Sequence, residues 1–342
     1  MKQKMRKETV WALAVAVLLA AAAAVALFSL SVGEVRVPLS HLLGILREPG
    51  ISSTEYGVLA YIRLPRTVLG LAVGGALSIS GAILQGIYRN PLVEPYTLGV
   101  SGGASLGVTF AIVAGLGSAG LLALPLAGFL GALASISLVY ALSLKRGILS
   151  VSRMLLIGVM VSFISSSLIM LLMSVSKAED LRGIIFWSMG SLAEPEWALV
   201  FGMAGLSVAM LVVSFFFVPV LNALRLGETK AKHLGMNVDA AMRVLFVLAS
   251  LLTGACIAVS GVIGFVGLVI PHVIRLLLGS DYRILLPGSF LLGGIFLTLC
   301  DMLARTIASP VELPIGVITG LIGGVVFIAI LSGSKKRTAF FS

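Results

Sequence analysis

Histidine, cysteine and carboxylate side chains are the groups through which this chain could bind a metal or catalyse a reaction. Its three histidines are His41, His233 and His272, and no two of them have the spacing of metal ligands. Its two cysteines, Cys256 and Cys300, each lie within an apolar stretch, which favours small buried residues over a disulfide or a metal ligand. We therefore expect no metal site, no catalytic residue and no cofactor.

Charged residues are concentrated at the ends of apolar stretches. Arg63 and Arg66 precede one stretch, whereas Asp301, Arg305 and Glu312 lie between two others. No charged residue lies well inside the first seven stretches, although a proton- or sodium-coupled carrier usually needs a buried carboxylate. The chain also lacks the phosphate-binding loop of ATPases. Energy for any transport is therefore expected to come from another protein.

One polar segment is longer than the other connections on its side of the membrane. It reads NALRLGETKAKHLGMNVDAAMR over residues 222–243. The pattern predicts two short interfacial helices separated by a glycine turn, with Glu228, Lys230 and Lys232 facing water. A solvated loop is the simple interpretation, and a docking surface for a cytoplasmic partner is the alternative that the length favours.

The elements that carry these residues are membrane helices. The chain has 342 residues, of which 59% are hydrophobic and 11% charged, with a mean hydropathy of +1.13, so it cannot form a soluble surface. Helices of about 20 residues joined by short loops would form one bundle. Ten predicted spans cover residues 11–31, 67–87, 95–115, 121–144, 154–175, 197–219, 244–260, 262–274, 286–300 and 313–331. The eighth is short and contains Pro271.

The distribution of charge predicts the orientation of the bundle. With the N-terminus in the cytoplasm, ten spans place the C-terminus there too, and the inner segments hold 17 of the 24 basic residues. The outer segments hold nine of the 14 acidic residues. The basic character of the chain therefore reflects its membrane orientation, and no nucleic-acid partner is expected.

The chain contains two similar segments separated by 180 residues. Eight of 26 aligned positions are identical, and they pair Gly74, Ser80, Gly81, Ile83, Pro91, Val93, Leu98 and Gly99 with Gly254, Ser260, Gly261, Ile263, Pro271, Val273, Leu278 and Gly279. The predicted topology makes the copies antiparallel, as in the inverted repeats of transporters. A chance likeness between glycine-rich helices is the alternative. The repeat halves would cover about residues 63–175 and 243–331 of a single transmembrane domain spanning 1–342.

Five motifs occur in an order that resembles one transport family. They are RLPRT at 63–67, SGA-x-x-Q-x-x-x-x-NPL-x-EP-x-x-LG at 80–99, LGE-x-x-A-x-x-LG at 226–235, GFVGLVIPH at 264–272 and ELPIG at 312–316. The chain is identified by them as a member of the FecCD family, the permease subunits of type II ATP-binding-cassette importers. The resemblance covers nearly all of the chain after about residue 55.

The resemblance implies an all-α polytopic bundle of about ten helices, similar to the vitamin B12 permease, in the bacterial cytoplasmic membrane. It implies a homodimer with two cytoplasmic ATPase subunits, which bind the ATP, and one extracytoplasmic substrate-binding protein. In the coupling loop, residues 221–243, it assigns contacts with the ATPase to Gly227, Glu228, Ala231, Leu234 and Gly235.

Two further assignments follow from the resemblance. Arg63, Arg66 and Arg305 would meet acidic residues of the binding protein, and the alternative is that they extend to lipid headgroups. Ser150 and Ser152 would narrow a cytoplasmic gate, although serines at a helix start are more often N-caps.

The expected function is the import of an iron chelate. A ferric siderophore is the first expectation, followed by haem and cobalamin, because the motifs specify the family and not the substrate. An ion-coupled secondary transporter is the alternative function, and a membrane enzyme is a third that the absence of catalytic groups disfavours.

Overall fold

The fold is an all-α bundle, seen in a computed structural model that describes residues 2–33, 54–145, 148–149, 151–193 and 196–333. Eight of the described helices are long and apolar enough to cross a membrane. Two shorter apolar helices, Val100–Val113 and Val266–Leu278, complete the set. The ten correspond in order to the ten predicted spans, which confirms the predicted fold class.

The helices differ widely in length. In chain order they are α1 (Lys2–Ser31), α2 (Thr54–Val58), α3 (Leu64–Tyr88), α4 (Val100–Val113), α5 (Ala123–Ser143), α6 (Val151–Val175), α7 (Ala178–Ser188), α8 (Trp197–Phe215), α9 (Val218–Leu224), α10 (Glu228–His233), α11 (Val238–Ser260), α12 (Val266–Leu278), α13 (Tyr282–Ala304) and α14 (Ile315–Gly333). A π-helical turn, Leu59–Arg63, joins α2 to α3, and 3₁₀ turns cover Pro95–Leu98 and Leu116–Ser118. Two-residue strands, β1 (Leu144–Lys145) and β2 (Ile148–Leu149), pair antiparallel.

Burial divides the bundle into an inner and an outer set of helices. In its most apolar window, α3 is 89% buried, and α11 and α13 are 61% and 67% buried. The corresponding windows are only 6% buried in α1 and 17% in α6. The helix α3 is therefore the centre of the protein, and α1 and α6 expose apolar surface that suits lipid or another subunit.

The two similar segments differ in structure at their first shared motif, the Ser–Gly pair at 80–81 and 260–261. Ser80 and Gly81 lie inside the continuous helix α3, whereas Ser260 ends α11 and Gly261 has a φ of 68°. At the second shared motif the copies agree, since Gly99 and Gly279 both have positive φ, at 80° and 95°, and a helix begins shortly after each. The duplication remains a prediction, since its copies agree at one shared motif and differ at the other.

Glycines allow the central helices to approach each other closely. A Cβ on Gly74 would lie 2.2 Å from the carbonyl oxygen of Gly293, so α3 and α13 touch through their backbones. A Cβ on Gly131 would lie 2.2 Å from the carbonyl oxygen of Gly103, which joins α4 and α5 in the same way. Small residues at such contacts let helices pack by dispersion without a hydrophobic drive. Gly320 has open space around it, so not every glycine of the helices lies at a close contact.

Among the glycines in the described part of the chain, the closest approach occurs at Gly81. A Cβ there would lie 1.9 Å from the carbonyl oxygen of Gly267 on α12. We expect Gly81→Ala to lower the free energy of unfolding by about 2 kcal/mol or more, because the backbones must separate. Gly202→Ala is the matched control, since nothing lies within 4 Å of its Cβ and alanine favours the helix. Equal melting temperatures for both variants in detergent would contradict this packing.

Candidate functional site

A buried ion cluster joins α3, the C-terminal end of α13 and the segment between α13 and α14 at one end of the bundle. The Nε of Arg66 donates to Oδ1 of Asp301 at 2.7 Å, and its Nη1 donates to both carboxylate oxygens of Glu312 at 2.9 Å. Arg66 and Asp301 are buried, at 4% and 1% exposure, whereas the side chain of Glu312 is 45% exposed. Arg305 lies 3.6 Å from the other Asp301 oxygen. The charge of Asp301 is thus compensated by two arginines.

The remaining arginine contacts hold the end of α1. The last carbonyl groups of a helix have no partner within it. Here Nη2 of Arg305 donates to the carbonyl oxygen of Ser29 at 2.6 Å, and Nη1 of Arg63 donates to that of Leu30 at 2.8 Å. The hydroxyl of Ser29 also pairs with that of Thr67 at 2.9 Å. These contacts anchor a helix that is otherwise little buried, and cations suit a helix C-terminus.

The structure brings together the three arginines that were predicted to dock a binding protein. All three are buried, with exposures of 3% for Arg63, 4% for Arg66 and 9% for Arg305. Their guanidinium groups have partners within the chain. The sequence could not show this, because Asp301 is 235 residues from Arg66. The docking role stays a prediction, and an anchoring role accompanies it.

The predicted coupling loop contains a short helix and a glycine turn, but the first of the two short helices begins earlier than predicted, at Val218. Two short helices, α9 and α10, are separated by a turn that ends at Gly227, whose φ is 105°. Within α10, Ala231 is fully buried, whereas Leu226 and Leu234 beside the helix are 60% and 62% exposed. Gly235 follows with a φ of 78°. Both leucines are therefore available on the surface of this segment.

Charged side chains of the loop also pair with each other. The Nζ of Lys232 lies 2.9 Å from a Glu228 oxygen and 3.1 Å from an Asp239 oxygen. Hydrogen bonds to these two carboxylates raise the pKa of Lys232. Because all three side chains are exposed to solvent, the pairs contribute little to stability and fix the shape of the surface.

The loop is tied to the start of α13 by one asparagine. Asn222 Nδ2 donates to Oδ1 of Asp281 at 2.9 Å, and its Oδ1 accepts from the Tyr282 backbone N–H at 3.1 Å. Asp281 Oδ1 also caps α13 through the N–H of Arg283 at 2.9 Å. A displacement of α9 would therefore be passed to α13, the helix that packs on α3.

The predicted gate lies only partly within the described residues. Ser150 lies outside them, and Ser152 is in the first turn of α6 with an exposed side chain. Leu144 pairs with Leu149 in the small β-ladder that precedes α6. The gate assignment stays a prediction.

A proline in α12 leaves a carbonyl group without its helical partner. In a helix the Gly267 carbonyl oxygen would accept from the N–H of residue 271, but Pro271 has none. Gln85 of α3 supplies the missing donor, since its Nε2 lies 3.1 Å from that oxygen. Arg275 Nη1 in turn donates to Gln85 Oε1, which fixes the amide. The absence of a side chain at Gly81 lets the two helices come this close.

The segment between α11 and α12 is unwound and depends on the first copy of the repeat. Glu94 Oε1 accepts from the N–H of Phe265 at 2.5 Å, and the Tyr96 hydroxyl accepts from the N–H of Ile263 at 3.2 Å. Phe265 has a φ of 69°, and α12 begins at the next residue. A carboxylate at a helix N-terminus is favourable. Glu94 belongs to the motif at 80–99 and Phe265 to the motif at 264–272, and their separation of 171 residues leaves no local signal for the contact in the sequence.

The structure shows no candidate centre for metal binding among the residues that it describes, where no three histidine, cysteine or carboxylate side chains come together. Cys256 and Cys300 are free and buried, as expected for small core residues. His233 ends α10 and His272 lies in α12, whereas His41 is outside the described residues.

The bundle, its broken helix and its exposed loop define a multi-pass membrane permease of the ATP-binding-cassette class, whose members are not themselves enzymes. The model of the FecCD transport family matches residues 18–333, and the chain belongs to that family. The resemblance found in the five motifs is thereby confirmed.

The relatives and a solved structure agree with this class. The hemin transport system permease protein HmuU of Yersinia pestis is 40% identical over 81% of this chain and 83% of its own. The cobalamin import system permease protein BtuC of Halobacterium salinarum is 39% identical over 84% of this chain and 77% of its own. A structure described as a metal-chelate type ABC transporter in an inward-facing conformation has a TM-score of 0.83 at 33% identity, covering 93% of this chain and 98% of that one.

The role of Asp301 in the ion cluster can be tested by substitution, with a second carboxylate that contacts Arg66 as the control. We expect Asp301→Asn to lower the free energy of unfolding by about 3 kcal/mol, because Arg66 and Arg305 would remain buried side by side. Glu312→Gln removes a carboxylate from the same Arg66, but Glu312 is 45% exposed, so the cost should be about 1 kcal/mol or less. Equal losses in thermal unfolding would show that Asp301 is not the central anion of the cluster.

Proposed function

We propose that this chain is the transmembrane permease subunit of an importer that passes an iron chelate from a binding protein to the cytoplasm. The names of its relatives include hemin and cobalamin, and the solved neighbour is described as of the metal-chelate type. A ferric siderophore is the first substrate to test, and haem and cobalamin are the next two. Specificity within this class rests largely with the binding protein.

The proposal is supported above all by the geometry of the coupling loop. Leu226 and Leu234 project from a polar surface beside α10, and Asn222 ties this surface to the start of α13. An ATPase that seats on α10 could therefore move α13 and α3 as a rigid unit. The proposed contacts are Gly227, Glu228, Ala231, Leu234 and Gly235, with Ala231 acting as the buried support of the helix.

The proposed assembly has two permease chains, two ATPase subunits that bind the ATP, and one binding protein. The charge distribution favours a cytoplasmic location for both termini and for the coupling loop. The binding protein would dock at the opposite end, near Arg63, Arg66 and Arg305. A bacterial cytoplasmic membrane is the corresponding location.

The geometry does not favour the alternative of an ion-coupled carrier. Among the described residues, two carboxylates lie within the bundle, and both have structural partners. Asp301 is bound by Arg66, and Glu94 caps the N-terminal end of α12. A coupling ion would need a carboxylate that is free to bind and release it.

Reconstitution tests the energy source and the substrate together. Proteoliposomes are prepared with the permease in the membrane, its ATPase on the inner face and its binding protein outside. They should accumulate a ferric siderophore only when ATP is enclosed on the side of the ATPase. Hemin and cobalamin, each tested with the same binding protein, identify the chelate. Uptake by the permease alone, driven by a proton or sodium gradient, would replace the proposal with the secondary carrier.

A double substitution tests the coupling loop. We expect Glu228→Gln with Gly235→Ala to reduce both ATPase binding and uptake by about tenfold, since it breaks the Lys232 pair and strains a residue with positive φ. The matched control is Glu179→Gln with Gly115→Ala. Glu179 is exposed on α7, and Gly115 has a φ of 73° with nothing within 4 Å of its Cβ, like Gly235. If co-purification with the ATPase and uptake both match wild type, the assignment is wrong.

A further inference from the structure

A cleft of about 690 Å³ opens beside the inner end of α1 and is not used by the proposed transport mechanism. It lies between α1, the segment after α9 and the turn that joins α12 to α13. Three cations from these separate elements line it, namely Lys7, Arg225 and Arg283. All three side chains are exposed, and within the described part of the chain none of them has an ion pair.

The acidic groups of the cleft do not neutralise these cations. Asp281 uses Oδ1 to accept from Asn222 Nδ2 and from the N–H of Arg283. Glu8 is the other carboxylate that lines the cleft. Three cations thus face two carboxylates, one of which is engaged in capping α13. The surplus charge favours an anion.

The cleft also has an apolar side. Val10 and Leu277 line it and are 51% and 71% exposed, and Leu278 lies beside them. Lys7 and Trp11 are four residues apart on α1, so they share one face with Val10. Tryptophan is enriched where a membrane meets water, and the window of α1 is only 6% buried, so its remaining surface is free for lipid.

We propose that this cleft binds the headgroup of an anionic phospholipid. Lys7, Arg225 and Arg283 would contact the phosphate, and the hydroxyl of Ser280 would bond the headgroup. One acyl chain would lie over Val10 and Leu277. Basic pockets between membrane helices on the cytoplasmic side suit such headgroups. The lipid would fill the gap between α1 and α12 and hold the inner end of α1, as the arginines hold its outer end.

Lipid retention by the full-length permease tests the site. Purified protein is incorporated into nanodiscs of phosphatidylglycerol and phosphatidylcholine, then released and examined by native mass spectrometry. We expect selective retention of phosphatidylglycerol, and we expect Lys7→Gln with Arg283→Gln to weaken it about tenfold, since each cation near the membrane surface contributes appreciably. Equal retention of the two lipids by wild type would overturn the proposal.

A matched control separates this site from general charge effects. Lys177→Gln with Arg182→Gln removes one lysine and one arginine from exposed positions at α7, at the other end of the bundle, and should leave retention unchanged. A similar loss in this control would mean that the net charge of the protein, and not this cleft, determines lipid retention. Displacement of the lipid by millimolar inorganic phosphate would show a site for free phosphate instead.

Two features keep the test decisive. If the double variant does not fold, Lys7→Gln alone, at an exposed position of α1, should still lower retention several-fold, and an unchanged value would overturn the proposal. The measurement needs neither ATPase nor binding protein. A failure of the lipid site is therefore distinguishable from a failure of the proposed transport function.

Discussion

The structure depends on one constraint, which is that a helix broken inside an apolar bundle must find hydrogen-bond partners within the protein. Pro271 deprives the Gly267 carbonyl of its helical donor, and Gln85 of the central helix replaces it. Glu94 and Tyr96 supply acceptors for the unwound backbone that precedes α12. The residues of one family motif thus complete the backbone of another, which explains in physical terms why both motifs occur in one chain.

The same constraint determines which parts can move together. Gln85 can reach Gly267 only because Gly81 has no side chain, and Gly74 likewise lets α13 approach α3 closely. Contacts between backbones have little freedom to slide, since packed helices tend to adopt discrete arrangements rather than deform continuously. The helices α3, α12 and α13 therefore form a rigid centre. Asn222 connects this centre to the coupling loop, which gives an applied force a defined route.

Local sequence patterns were sufficient to predict the helices but not the contacts between helices. Ten apolar stretches predicted ten helices, and the glycines of the polar segment predicted a turn there, because hydropathy and glycine content act over a few residues. Gln85 and Gly267 are 182 residues apart, and Arg66 and Asp301 are 235 apart. A single sequence carries no local signal for such pairs. The copies of the repeat also diverge after Ser80 and Ser260, where identical residues are helical in one copy and end a helix in the other.

The buried arginines show why an anchoring role and a docking role are compatible. Arg63, Arg66 and Arg305 are occupied by carbonyl and carboxylate partners, yet they outnumber Asp301 and Glu312 by one charge. Burial does not remove the field of that charge, because a low-dielectric surrounding screens it less than water would. An acidic partner can therefore be attracted to this end of the bundle without breaking the contacts that hold α1. The position of α1 and the local positive charge at this end of the bundle then depend on the same few groups.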